Sequence, residues 1–172
     1  LRQARDSTRA SDLASMNSTL GLYLSTVATP SMDNRTTSAC KNGTAATKMV
    51  YSALTGATTS IAAVGGTYPY LALQTNVSVS TTRKADGSGW LPVNLNAISG
   101  GAPLSNWPVD PSNTSSTGML AYVYGCDSTN NTYVITTKFE SQKYTADLDM
   151  DSKDGGPDIG IYEIGTAPGL QL

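Results

Sequence analysis

Five aspartates crowd one short stretch near the C-terminus: Asp147, Asp149, Asp151, Asp154 and Asp158, with Gly155 and Gly156 after the fourth. Carboxylates at alternating positions bring oxygens together in a small volume, as a hard cation such as Ca2+ needs for its roughly six to eight ligands. Measured against an EF-hand loop the fit is poor. Ser152 stands where the obligatory Gly belongs, and Asp158 replaces the terminal Glu. The competing reading is a solvated acidic turn whose glycines supply positive φ. Both readings are open at the level of sequence, with Ca2+ as the only cofactor in view.

Other chemistries are limited by what the chain lacks. It has 172 residues and no histidine, which removes Ser-His-Asp and Cys-His catalysis, His-ligated zinc and histidine pH switches. No Gly-x-Ser-x-Gly elbow is present, so the 20 serines count for nothing as nucleophiles. Glu140 and Glu163 form a formal carboxylate pair for glycoside hydrolysis, yet nothing in the sequence sets them across a cleft. No catalytic residue is expected. Eleven Lys plus Arg against 13 Asp plus Glu give a net charge of −2, so no basic surface exists to neutralise phosphates and sequence-specific nucleic-acid binding is not expected.

The polar surface is built from hydroxyls and amides. Charged residues are 14 % of the chain against 23 Thr, 20 Ser and 10 Asn, a composition that suits secretion or surface display. Six Asn-x-Ser/Thr sites, at Asn17, Asn34, Asn42, Asn76, Asn113 and Asn130, are what such a composition yields by chance. Tyr68/Tyr70 and Tyr122/Tyr124 stand at strand spacing, where both rings of a pair share one side of a sheet. Two cysteines, Cys40 and Cys126, suggest one disulfide in an oxidising compartment, the alternative being two buried thiols. Such a bridge closes a loop of about 87 residues and stabilises by on the order of 4 kcal/mol.

The elements that must position these residues follow from periodicity. Leu13, Met16, Leu20, Tyr23 and Leu24 recur at steps of three and four, predicting a helix over about 1–25 that ends before Pro30. Arg5, Arg9 and Asp12 are read as its solvated side. A short helix is expected over 45–54, ended by Gly56. From Thr67 the period becomes two, with Leu71, Leu73, Val77 and Val79 alternating as in a half-buried strand. A turn follows at Ala85-Asp86-Gly87-Ser88-Gly89. Residues 90–111 hold six Gly or Pro breakers and imply an ordered loop pinned by Trp90 and Trp107. Met119–Tyr124 and Tyr133–Phe139 flank hairpin-turn chemistry at Asp127–Asn131, and a last strand is expected over Ile159–Ile164. The economical reading is one α+β domain over 1–172, a helix packed on an antiparallel sheet within 67–166. No apolar run reaches the ~18 residues that span a bilayer.

Ala4-Arg5-Asp6, Arg9, Asp12-Leu13, Leu20 and Tyr23, closed by Pro30, resemble the stretch just downstream of the hydrophobic segment in type IV pilins and type II secretion pseudopilins. Gly89-Trp90-Leu91-Pro92-Val93-Asn94, Gly100-Gly101-Ala102-Pro103 and Trp107-Pro108-Val109-Asp110-Pro111 resemble the middle loop of bacterial prepilin-like proteins. Tyr133-Val134-Ile135-Thr136, Phe139-Glu140-Ser141, Asp154-Gly155-Gly156 and Tyr162-Glu163-Ile164-Gly165-Thr166 are similar in order to the end of that family, while residues 31–88 match less well.

The resemblance implies a pilin-like fold. Leu13, Met16 and Leu20 would pack on the sheet, and the first 25 residues would be the lower half of a long helix whose apolar upper half, the only membrane-binding part, is not included here. It implies a subunit of a type IV pilus on the bacterial surface, acting by polymerisation and display in adhesion, motility or DNA uptake. Its partners would be other pilin subunits in a helical homo- or hetero-polymer, prepilin peptidase and the assembly machinery. Before assembly the subunit would be anchored in the inner membrane. The outward face, with Arg5, Arg9 and Asp12, would be one filament contact. The alternatives are a secretion pseudopilin with a calcium site and, in another class, a secreted carbohydrate- or protein-binding domain.

Overall fold

The computed structural model describes residues 1–54, 76–114 and 120–172. The protein is α+β: an N-terminal helix and a five-stranded mixed sheet. Helix α1 runs Arg2–Thr26, a stretch with no Pro and a single Gly, and stops at Val27, whose backbone is extended. Its inner face buries Leu13, Met16, Leu20 and Tyr23, the spacing read from the sequence. Burying each such side chain stabilises by roughly 1.5–3 kcal/mol, which outweighs the modest helix propensity of so many Ser and Thr.

The strands are β1 (Met49–Ser52), β2 (Asn76–Val79), β3 (Val123–Asp127), β4 (Thr132–Thr137) and β5 (Tyr162–Gly165), in sheet order β2-β1-β3-β4-β5. Period-two alternation divides two cores between the faces. Tyr51, Tyr124, Cys126, Tyr133 and Ile135 point to the α1 side. Val50, Val77, Val123 and Val134 point to the other, where Ile161, Ala167, Leu170 and Leu172 cover them. A slip of one residue would exchange the two sets, so the register is strongly specified.

Several expectations are corrected. The segment 45–54 is not a helix: Met49–Ser52 is a strand, because Val50 and Tyr51 each meet a different apolar face and pairing to β2 and β3 outweighs local propensity. The sheet is not wholly antiparallel, since β1 and β2 run parallel from Met49↔Asn76 to Ser52↔Val79. The last strand begins at Tyr162 rather than Ile159 because Asp158 closes a turn on the Gly160 amide at 2.9 Å. Leu71, Leu73, Tyr68, Tyr70 and Met119 lie outside the described residues.

The two cysteines pair, joining the 31–48 loop to β3. Trp90 and Trp107 are buried as expected, and the Trp90 indole donates to the Pro108 carbonyl at 3.0 Å. Tyrosine hydroxyls fasten the layers. Tyr124 donates to Met32 O at 2.8 Å, Tyr133 to the Asn17 side chain at 2.8 Å and Tyr51 to Asp33 at 3.1 Å. With one Phe in the chain, tyrosine fills the core and each hydroxyl finds an acceptor, which burial requires.

Candidate functional site

Apart from Arg2, exposed at the start of the helix, the charged residues of α1 turn toward the body. Arg9 is fully buried, its Nε and Nη2 forked onto the Asp110 carboxylate at 2.7 and 3.0 Å. Its Nη1 donates to Asp6 at 2.7 Å and to Glu140 at 2.6 Å. Arg5 binds Glu140 through two hydrogen bonds of 2.7 and 2.8 Å, and Asp12 accepts from the Tyr122 hydroxyl at 2.7 Å. Asp6 also accepts from the Glu140 and Ser141 amides, at 3.0 and 2.8 Å. The reading of Arg5, Arg9 and Asp12 as an outward contact face is therefore corrected. The reason is helical: positions 5, 9, 12 and 13, 16, 20 follow one another by threes and fours, so the charges continue the stripe of Leu13, Met16 and Leu20.

This cluster sets the electrostatics of that end of α1. Burial opposes the charge on Arg9, but the hydrogen bonds it donates to Asp110 and Glu140 outweigh this and raise its pKa. The Arg5 hydrogen bond, with Arg9 behind it, holds Glu140 down to about 2 from an ordinary 4.5. A carboxylate depressed in the folded state stabilises fully above its unfolded pKa and loses that contribution as pH falls through the folded one. The Glu140 side chain is 14 % exposed and its Arg5 partner 28 %, so part of this contribution is screened by solvent. Urea midpoints should therefore fall between pH 4.5 and 2, and a Glu140→Gln variant should show a flatter profile across that window.

The opposite face of α1 has no charge. Gln3, Ala4, Ser7, Thr8, Ser11, Ala14, Ser15, Ser18, Gly21, Leu22, Ser25 and Thr26 are all exposed. Ala4, Ser7, Ser11, Ala14, Ser18, Gly21 and Ser25 alternate steps of three and four, the spacing of a coiled-coil seam. Thr8, Ser15, Ser18 and Thr26 turn their hydroxyls back onto carbonyls four residues earlier, at 3.1, 2.9, 3.0 and 2.7 Å. An exposed helix face ordinarily carries charged residues. This one is small, smooth and internally hydrogen-bonded, so another helix can approach it closely at little desolvation cost. Sequence reading passed over it because Ser and Thr carry no periodic hydrophobic signal.

Two of the five aspartates of the acidic loop, Asp154 and Asp158, accept from backbone amides. Asp154 accepts from the Glu163 amide at 2.6 Å and the Gly156 amide at 2.9 Å. In return Glu163, itself buried, accepts from the Asp158 amide at 3.4 Å. A Cβ on Gly156 would run into the Glu163 carboxylate, so Gly is required there. Asp149 pairs with Lys153 at 3.5 Å, and Asp147 is exposed at the end of a π turn, Lys143–Asp147. Asp151 differs: it is 5 % exposed, and its Oδ1 has no partner among the described residues. Burial, then repulsion from Asp149, Asp154 and Asp158, raises its pKa. As they stand among the described residues, no three of these acids form a metal-holding group.

The remaining polar residues of interest serve local structure. Glu140 sits in the arginine cluster and Glu163 in the loop clasp. Asn42 and Asn130 both donate to Asp127, and Asn113 donates to Ala53 O. No helix among the described residues is long and apolar enough to cross a membrane. Compared with known proteins, the chain matches no family model, no curated protein and no solved structure.

Proposed function

We propose that this chain is a structural subunit of a pilus-like filament on a bacterial surface, with α1 as the polymerising element and the sheet and loops as the displayed part. The observation that carries the reading is the charge distribution of α1: Arg5, Asp6, Arg9 and Asp12 turned onto the body, Arg2 alone exposed at the helix start, and a charge-free seam of small residues turned to solvent. A heterologous contact on such a seam yields an open helical polymer when its rotation does not close a ring. The resemblance to type IV pilins points the same way and names the expected partners: further subunits, a prepilin peptidase and the assembly machinery. Function then lies in assembly, with adhesion, motility or DNA uptake as its outcome.

The test separates folding from assembly. Ala14→Lys places a charge on the seam at an exposed site with good helix propensity, so stability should change by no more than about 0.5 kcal/mol. Filaments seen by electron microscopy should be lost. Normal filaments from this variant would contradict the reading.

A secretion pseudopilin with a calcium-bearing loop is the second reading, favoured by the unpartnered buried oxygen of Asp151. On that reading Ca2+ raises the melting temperature relative to chelator, and Asp151→Asn removes the difference. Because Asp151 is pushed up by burial, the same variant should be no less stable than the parent in chelator at pH 7. Identical melting curves in Ca2+ and chelator would sink the calcium site and leave the filament reading intact.

A further inference from the structure

We propose that the acidic loop of one copy docks onto a basic end of a second copy, a contact that rests on the filament reading and sets how subunits meet end to end. The topology separates the two surfaces. Strand β4 runs against α1, since Tyr133 meets Asn17 while the Glu140 amide, just past its end, meets Asp6. The β3–β4 turn and the loop tied to it by Cys40–Cys126 therefore lie toward the C-terminal end of α1. Residues 143–161, which lead into β5 where Tyr162 pairs with Thr137, lie toward its N-terminal end.

The charges of the two loops are opposite in sign. In the loop joined by the disulfide, Arg35 is exposed and Lys41 and Lys48 are partly exposed, and none of the three forms an ion pair among the described residues. The acids there are withdrawn. Asp33 is buried and accepts from the Ala39 amide and Tyr51, and Asp127 is buried and accepts from Asn42 and Asn130. In the loop at the other end Asp147 is exposed and Asp149, Asp154 and Asp158 are partly exposed, Asp151 being buried, against the exposed Lys143 and Lys153. Arg2 and Lys138 are exposed at that end too, outside the loop.

The acidic end also offers apolar surface. Ile159 is 79 % exposed, and Leu148, 45 % exposed, lines a cleft of about 370 Å3 between β5 and the 148–154 loop. Met150, Ile164 and Leu170 line it together with Asp154 and Lys153, so an arginine such as Arg35 would lay its apolar stem on the first three and turn its head to Asp154. Acidic and basic surfaces at opposite ends of one chain make a head-to-tail contact, which propagates where its rotation does not close a ring.

Sedimentation of the purified 172-residue chain at 50 and 500 mM NaCl, with carbodiimide coupling of the associated form, tests this. Association should weaken roughly tenfold at high salt, and coupled peptides should join Lys41 or Lys48 to the 147–158 loop. Arg35→Glu with Lys41→Glu should abolish the coupling, as should Asp147→Lys with Asp149→Asn, each without lowering the melting temperature. Mixing the two variants should not restore parent-like ladders, but each should still couple once with the parent through its unaltered end. Salt-independent association, or coupling confined to other peptides, would overturn the proposal. If filaments form normally while both double variants behave as the parent, the polar contact is wrong and the filament reading stands; if the α1 seam also fails its test, both are lost.

Discussion

Arg9→Met is expected to lower the unfolding free energy by about 3–5 kcal/mol, the usual cost of removing one partner from a buried ion cluster. For a chain of this size that is a fall in melting temperature of roughly 10 °C or more. The loss arises mainly from what stays behind. Asp6, Asp110 and Glu140 would keep their positions around an apolar side chain, and three carboxylates would share a site in which Arg5 is the one remaining cation of the cluster. Met matches the length of the arginine stem, so the packing loss is small and the electrostatic loss is isolated. Arg9→Lys should fall between, because an ammonium cannot fork onto Asp110 and also reach Asp6 and Glu140. The pH dependence discriminates further. The parent loses stability as pH falls from 4.5 toward 2, whereas in Arg9→Met protonation relieves repulsion and the acid loss should shrink or reverse. Parallel acid profiles for the two proteins would contradict the cluster's assigned role.

Replacing Cys40 and Cys126 with Ala should cost about 4 kcal/mol in the chain-entropy account, because the bridge joins residues 86 apart. At roughly 2–4 °C per kcal/mol the melting temperature falls by about 8–16 °C. The bridge is the main covalent tie on the 31–48 loop, whose backbone otherwise holds through the Lys41 amide on Cys126 O and the Met49 amide on Ala39 O, at 2.9 and 2.8 Å. Hydrogen exchange in that loop should rise on reduction while α1 and β4 stay protected. Uniform loss of protection would show that the bridge supports the whole fold rather than that loop.

Two kinds of signal made parts of this fold legible in sequence. Leu13, Met16 and Leu20, at steps of three and four, point to the inner face of α1, and turn residues at Asp127–Asn131 point to the hairpin. Its first strand is displaced from the expected 119–124 to Val123–Asp127, because every residue of that strand is buried and no polar position marks its end. β1 is four residues long, too short for periodicity to tell a strand from a helical turn, and its parallel pairing with β2 is not local in sequence.

The site misled for a different reason. Charge was read as exposure, although Arg9 lies one turn before Leu13 on the same stripe and meets carboxylates more than 100 residues away. The aspartates clustered in sequence leave a cation site and a solvated turn both open. In the fold Asp154 and Asp158 serve backbone amides, and Glu163, which drew notice only as half of a hydrolytic pair, completes the clasp. The outward seam of α1 was visible all along as a heptad of Ala, Ser and Gly, but such residues signal a contact only once the other face is known to be occupied.

The central claim is that α1 polymerises through this seam, and chemical linkage within filaments tests it most directly. Cysteines at Ser7 and Ser18 lie about 16 Å apart along one helix, beyond the reach of a short bismaleimide, so any link must join different subunits. In the native host, filaments carrying Ser7→Cys and Ser18→Cys should yield a ladder of dimers, trimers and longer multimers. A control pair at Ser99 and Thr166, exposed but off α1, should not. Monomers alone from the seam pair, or equal ladders from both pairs, would contradict the account.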